Sequence, residues 1–371
     1  MPVGPFSRRK PLRVQPFFGF RNTERLLVNA RAMRSREPVF VKRSFWRDFR
    51  TMAGIYLSQE VPGLVVDLEY ALPGGRVLRQ SATTGPEGYV SFDLPLSPGN
   101  PTAERTRWEK AVLRWRDSDE NASFETDVWI LTPGSQTRVG IISDIDDTIL
   151  ETGVTGGVRS LVRNWKRVMA QMPSDRVPVP GASSLLAALG GPPTGGTELA
   201  SPIDPATPEA RVRPVFYVSS SPWNLFSYLV TFKRERGLPL GPVMLRDWGF
   251  NRETLGSEGH GSHKEEAIQR ILKTFPHLQF ALIGDDTQKD LTAFGRIARE
   301  FPGRIAAVFI RAVTGAPLNN EELHALDTFE RLGVPYWSGS DYAEAKRFLR
   351  SAGLDLEGGV KSLVRTASRG E

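Results

Sequence analysis

The rhythm of apolar and polar positions changes near residue 139 of this 371-residue chain. Before that point, 64–70, 76–81, 89–94, 111–115 and 124–130 alternate or are rich in β-branched residues. Clusters of Pro, Gly, Asp, Ser and Asn separate them, as turns between strands require. Strands this short and this regularly spaced predict an all-β sandwich domain over 16–136, behind an irregular basic arm at 1–15. From 137 to 355 apolar runs alternate with helical periodicity, the pattern of a parallel sheet with crossover helices. The predicted strands there are 139–144, 214–219, 242–246, 279–284 and 305–310. A helix is expected after the second strand, capped by Ser220 or Ser221 with Pro222 in its first turn. Ser262-His263-Lys264-Glu265 reads as a capping box, followed by Ala267, Ile268, Ile271, Leu272 and Phe275 at helical spacing. That box puts Lys264 in the first turn, pointing at the end of the sheet. Two further helices are expected over 319–332 and 341–351.

A long insertion separates the first two parallel strands, at about 150–212. It carries a basic amphipathic piece at 158–172 and a Gly- and Pro-rich loop at 190–210. The tail from 356 is basic and expected to fray. Thr83-Thr84-Gly85-Pro86-Glu87-Gly88-Tyr89-Val90-Ser91-Phe92 resembles the turn-then-strand of transthyretin-like sandwich modules.

Composition narrows the function classes. The 40% apolar and 24% charged content is that of a soluble globular protein. There is no cysteine, which excludes disulfides, a thiolate nucleophile and a Cys-type zinc site. This fits a reducing compartment, and the expected location is cytoplasmic, with peripheral contact to a membrane. No run of about 18 apolar residues is present to span a bilayer, and residues 1–10 lack the apolar core of a secretory signal. The net charge is +6, but it is uneven: residues 1–50 hold thirteen Lys/Arg against three Asp/Glu, and the remainder has four acids in excess. A basic front end suggests an anionic membrane surface as a partner, with a solvated basic face as the plainer reading. Nucleic acid is not expected as a partner.

The candidate chemistry lies at strand ends. Val139-Gly140-Ile141-Ile142-Ser143 delivers Asp144 and Asp146 two positions apart, with Thr148 behind them. In open α/β sheets ligands collect where such strands stop. A strand that ends in Asp-x-Asp-x-Thr suggests a carboxylate nucleophile with an acid/base partner beside it. Val215-Phe216-Tyr217-Val218 runs into Ser219-Ser220-Ser221, and Phe280-Ala281-Leu282-Ile283-Gly284 into Asp285-Asp286, with Asp290 shortly after and Lys264 before.

Those four motifs in that order, over about 137–352, resemble the haloacid dehalogenase (HAD) superfamily of phosphotransferases. Ser143-Asp144-Ile145-Asp146-Asp147-Thr148-Ile149, Thr152-Gly153-Val154-Thr155, Phe216-Tyr217-Val218-Ser219-Ser220-Ser221-Pro222-Trp223-Asn224-Leu225 and His263-Lys264 are similar to a narrower group, the actin-patch-protein family of Mg-dependent phosphatidate phosphatases. Phe17-Phe18-Gly19-Phe20-Arg21-Asn22-Thr23-Glu24-Arg25 resembles its bacterial members. The family usually reads Gly-Asp-Ser-Gly-Gln-x-Asp in its fourth motif; this chain has Gly284-Asp285-Asp286-Thr287-Gln288-Lys289-Asp290.

The resemblance implies an α/β fold with a HAD-like doubly wound parallel sheet behind the all-β sandwich, and a flap or cap in the 150–212 insertion. It implies Asp144 as nucleophile, Asp146 as general acid/base, and Lys264 as the cation that fixes the nucleophile. Thr148, Ser219 and Ser220 would bind the phosphoryl group. Mg²⁺ would take oxygens from Asp144, the Asp146 carbonyl and Asp285, with Asp286 and Asp290 behind or in their place. The implied substrate is a phosphorylated lipid, phosphatidate, cleaved to diacylglycerol and phosphate. Two rivals are the same catalyst acting on a soluble phosphomonoester, and a membrane- or partner-binding protein with a vestigial site. Each residue also has a plainer reading: a polar loop for the paired acids, a solvated lysine, a strand-end Ser219, serine caps, and a helix cap for Asp286. His260 and His263 read as loop residues or as contacts to a phosphate or head group, Trp223 and Trp248 as core, and Arg311 as a surface residue within reach of a phosphate.

Overall fold

The computed structural model describes residues 10–35, 59–72, 75–96, 100–119, 121–151, 177–194, 207–246 and 259–356. The chain divides into two compact units. One comprises Met1–Asn100 with Glu109–Ile130, the other Pro101–Trp108 with Leu131–Glu371. No helix among the described residues is long and apolar enough to cross a membrane.

The first unit is all-β. Its strands are β1 (Leu12–Pro16), β2 (Gly19–Arg21), β3 (Arg25–Arg34), β4 (Gln59–Glu60), β5 (Val65–Ala71), β6 (Val77–Thr83), β7 (Tyr89–Pro95), β8 (Arg107–Asp117) and β9 (Ala122–Thr132), of which residues 107–108 and 131–132 fall in the second unit. They form one nine-stranded sheet in the order β1-β3-β2-β9-β8-β5-β6, with β4 and β7 also paired to β3. Alternate residues of β5 and β7 turn inward, so Val66, Leu68, Tyr70, Val90, Phe92 and Leu94 join Leu26, Val28, Leu113 and Ile130 in one core. Alternation predicts β5 to β9, but β1 to β4 were not predicted. In β3 most positions are buried, which removes the period-two signal a half-solvated strand shows.

The basic excess of the first fifty residues is partly consumed inside this unit. Arg21 pairs with Glu109, Arg25 with Asp93, Arg31 with Glu60, and Arg34 with Asp117 and Asp119. Residues 1–9 and 36–58 lie outside the described residues, as do 152–176, with the Thr152–Thr155 motif and the amphipathic piece, and the tail from 357.

The second unit is α/β. Its strands are β10 (Val139–Ser143), β11 (Val215–Pro222), β12 (Val243–Arg246), β13 (Gln279–Asp285), β14 (Ile305–Arg311) and β15 (Tyr336–Gly339). They run parallel in the order β12-β11-β10-β13-β14-β15. The chain winds outward through β11 and β12, then returns past β10 to begin again at β13. The sheet direction therefore reverses between β10 and β13, and the crevice beyond their carboxyl ends is the expected ligand position. Ile141, Phe216, Phe280, Leu282 and Phe309 are fully buried, as continuous apolar runs covered on both faces must be.

The helices are α1 (Ala182–Gly190), α2 (Phe226–Glu235), α3 (Gly259–Thr274), α4 (Asp290–Glu300), α5 (Asn320–Leu332) and α6 (Tyr342–Ser351). Asn319 and Glu322 form the capping box of α5, and Asp341 caps α6. Two capping expectations need correcting. Helix α3 begins at Gly259, ahead of Ser262, so Lys264 falls in its second turn. Neither Ser220 nor Ser221 caps a helix: β11 continues through both, and the turn and helix after it have Pro222 and Leu225 at their starts without side-chain caps.

Residues 101–108 belong to this second unit through specific contacts. Thr106 donates to the Val212 carbonyl (2.9 Å) and receives the Gly134 amide (3.3 Å). A side chain on Gly134 would run into the backbone of Glu104 and Arg105.

Lys233 of α2 is 1% exposed, with its Nζ 3.9 Å from the centroid of the Tyr217 ring. No described residue accepts a hydrogen bond from it. Burial pulls its pKa down to about 7. An unfolded lysine holds its proton up to about pH 10.4. The unfolded chain therefore binds more protons between those values, so stability rises with pH across that window. The penalty is fully present below about pH 7 and gone above about pH 10.4. Lys233→Met is expected to stabilise the protein by about 3 kcal/mol below neutrality, after allowing for the lost cation–π contact. The gain should shrink towards zero near pH 10, as urea unfolding at the two pH values would measure. A gain independent of pH would contradict the assignment.

Candidate active site

Asp144 leaves β10 on its amide hydrogen bond to the Ile283 carbonyl (2.8 Å), so it emerges beside the end of β13. Asp285 closes β13 and Asp290 opens α4. The three side chains are fully buried, and one carboxylate oxygen from each lies within 4.8 Å of the others. Lys264 reaches in from α3, with Nζ 2.8 Å from Asp144 Oδ1 and 2.6 Å from Asp290 Oδ1.

The turn geometry explains why these side chains meet. A Cβ on Gly284 would lie 2.5 Å from Asp290 Oδ2 and 2.7 Å from the Asp290 Cβ, so only glycine admits Asp290 to this position. Lys289, just before it, is left-handed at φ 65°, and Asp147 is left-handed at φ 57° in the turn after Asp146. Side chains rarely adopt that conformation, and it concentrates where a site demands it. The Asp147 turn closes through its amide on the Leu150 carbonyl (2.8 Å) and brings Thr148 back towards the sheet. Thr148 Oγ1 donates to Asp285 Oδ2 (3.0 Å), while the Thr287 amide (2.6 Å) and hydroxyl donate to Asp285 Oδ1. Both oxygens of Asp285 are thereby fixed.

Asp146 stands on the other side of Asp144. Its Oδ2 accepts from Ser219 Oγ (2.8 Å) and Ser221 Oγ (3.1 Å). Burial raises its pKa, with the two serines and Lys264 opposing the shift.

Three buried carboxylates share one ammonium, leaving an excess of two negative charges if all are ionised. The electrostatics show the imbalance. Burial lifts the Asp144 pKa well above the carboxylate range; Lys264 pulls it down, but the neighbouring acids add to the rise. Asp285 is pushed to about 7, by burial first and Asp290 next. For Lys264, burial works against the charge, but Asp144, Asp290 and Asp285 outweigh it and hold the ammonium charged. Asp144 Oδ2 is buried and accepts no hydrogen bond from any described residue. An all-oxygen donor set, three carboxyl groups to one ammonium and an orphaned carboxylate oxygen fit a hard divalent cation.

The other predicted residues fall elsewhere. Asp286 lies outside the buried cluster. Its carboxylate accepts from the Val313 amide (2.8 Å) and from the amide and hydroxyl of Thr314 (3.1 and 2.8 Å), so it holds the loop after β14. It does not cap α4, whose N-cap is Lys289. Ser220 is buried near the end of β11. Arg311 donates to the Asp147 carbonyl (2.7 Å) and pairs with Glu151 (3.5 Å), bracing the turn after Asp146. Trp223 lies in the single turn after β11. His260 and His263 fall within α3 and not in a loop; the side chain of His260, and all of Trp248, lie outside the described residues. Sequence reasoning missed Thr287, Ser221 and Tyr342, whose hydroxyl donates to the Thr148 carbonyl (3.1 Å). Ser221 carried a usable signal, since residues two apart on a strand share a face with Ser219.

Residues 139–312 match the family described as the phosphatidate phosphatase APP1 catalytic domain. Phosphatidate phosphatase APP1 of Saccharomyces cerevisiae is 32% identical over 189 residues, which is 50% of this chain and 28% of that protein. An uncharacterized Schizosaccharomyces pombe protein is 26% identical over 241 residues, 63% of this chain and 34% of its own length. The chain thus spans about a third of the length of these relatives. Among solved structures, a Parabacteroides merdae β-glucuronidase superposes with a TM-score of 0.28 at 8% identity, covering 88% of this chain and 39% of that one; a likeness of that size carries no argument.

Proposed function

We propose that this chain, whose residues 139–312 belong to the APP1-like family of phosphatidate phosphatase catalytic domains, is a Mg²⁺-dependent phosphatidate phosphatase working through an aspartyl-phosphate. The buried group of Asp144, Asp285 and Asp290 around Lys264, at the reversal point of the sheet, supports the reading most directly. The fold reading is a HAD-like doubly wound domain behind a β-sandwich, and the strand order with acids at the β10 and β13 ends supports the first part.

The chemistry follows from the placement of two carboxylates. Asp144 Oδ2, which accepts no hydrogen bond from a described residue, attacks phosphorus. A phosphorus–oxygen bond to Asp144 forms as the ester bond breaks, and Asp146 gives its proton to the departing alkoxide, releasing diacylglycerol. Asp146 then takes a proton from water, whose oxygen attacks phosphorus; the bond to Asp144 breaks and phosphate leaves. Lys264 holds Asp144 in place and offsets charge as phosphate oxygens approach. Asp144, Asp285 and Asp290 would hold Mg²⁺, which supplies Lewis-acid neutralisation where two anions meet. Ser220 is read as a phosphoryl donor. The enzyme is read as cytoplasmic and peripheral, with the basic N-terminal residues drawn to anionic lipid.

Phosphate release from phosphatidate-containing vesicles and from a soluble phosphomonoester, each with and without Mg²⁺, tests this. Release from phosphatidate only when Mg²⁺ is present is expected. Hydrolysis of the soluble ester but not of phosphatidate would overturn the lipid substrate. Mg²⁺-replete protein inert on both would overturn the enzyme.

A further inference from the structure

We infer that Ser221 is a positioning residue for Asp146, aiming one oxygen of that carboxylate at the leaving group; this rests on the phosphatase reading above. Asp146 Oδ2 accepts two hydroxyl hydrogen bonds, 2.8 Å from Ser219 and 3.1 Å from Ser221. The Ser221 amide donates in turn to Ser219 Oγ (3.0 Å). Ser219 has a single hydroxyl proton, and it lies towards Asp146. The two serines and the carboxylate form a closed ring that Ser221 enters twice, through its amide and its hydroxyl.

The backbone at this point is shaped for the purpose. The register of β11 on β12 is regular at Tyr217 and Val218 and shifted by Pro222. Such irregularities re-aim side chains beside sites. Ser219 and Ser221 are both buried, so neither hydroxyl serves solvent, and neither caps the turn that follows. With Oδ2 doubly engaged, Oδ1 is the oxygen left for proton exchange. The hydroxyls of Ser219 and Ser221 both go to Oδ2 and leave Oδ1 to other partners. Removing Ser221 would free the carboxylate to rotate and would loosen Ser219 with it, while Lys264 and the Asp144, Asp285 and Asp290 cluster keep their contacts.

The measurement is kcat and KM for the full chain with Mg²⁺, on whichever of phosphatidate-containing vesicles and a soluble phosphomonoester wild type hydrolyses faster, comparing wild type, Ser221→Ala, Asp146→Ala and the double variant. Misorientation of a reacting group by an ångström lowers turnover on the order of 100-fold. Ser221→Ala is therefore expected to lower kcat by about 10- to 100-fold with KM within about twofold. In the Asp146→Ala background the same substitution is expected to change kcat by less than about twofold, because its effect passes through Asp146. Equal losses in both backgrounds would make Ser221 a packing residue, and an unchanged kcat in Ser221→Ala would remove its role. If wild type itself releases no phosphate, the phosphatase reading fails first, which separates the two results. Thermal melts of all four proteins establish that each is folded.

Discussion

Asp144→Asn is expected to abolish phosphate release while the protein stays folded. The substitution keeps the side-chain volume and removes the nucleophile's charge, so the covalent route closes. Turnover should fall by at least ~10³-fold, the scale of losing a nucleophile elsewhere. The stability argument runs the other way from most buried substitutions. Asp144 is crowded by Asp285, Asp290 and Asp146, and burial already disfavours its ionised form. A neutral side chain relieves that repulsion, and Lys264 keeps Asp290 as a partner. Urea unfolding should therefore show stability unchanged or raised in the absence of metal. Retention of more than a few per cent of activity by a folded Asn variant would reassign the nucleophile.

Chelation is expected to silence the protein, and Mg²⁺ to restore it. The two adjacent acids of the fourth motif should then separate. Asp285→Ala removes a member of the buried cluster, and the Mg²⁺ concentration for half-activity should rise by about 100-fold or more. Asp286→Ala should leave that concentration unchanged and lower stability by about 1 kcal/mol, through lost hydrogen bonds to Val313 and Thr314. The Mg²⁺-dependent rise in melting temperature gives a readout independent of turnover, since a cation that binds only the folded state stabilises it. A larger metal defect in the Asp286 variant would exchange the two roles.

The legible part of the site was the part carried by short linear strings. Asp144 and Asp146 sit two apart at the end of an apolar run, and Asp285 closes another. A parallel sheet gathers such ends whatever lies between them. The choice between Asp285 and Asp286 was not legible. It depends on which way each side chain faces after β13, and that is set by Gly284, left-handed Lys289 and the loop at 313–314. The start of α3 was misread because Ser262 and Glu265 have capping-box spacing inside a helix that already exists. Strand β15 escaped notice because four residues, Tyr336–Gly339, are too few to show a period. Helix α1, nine residues of mostly small and apolar side chains, shows no amphipathic face for a similar reason.

The two-part make-up of the second unit bears on modularity. The match to the family described as a catalytic domain starts at 139, yet the unit also contains Pro101–Trp108 and everything from Leu131. A fragment cut at 139 would strip the Val212 carbonyl of its donor on Thr106, and one stopped at 312 would discard β15, α6 and the Tyr342 hydroxyl that steadies Thr148. The second unit's first short piece is separated in sequence from the rest of it by Glu109–Ile130, which falls in the other unit. The piece that must be kept for the second unit to fold is therefore longer at both ends than the 139–312 match.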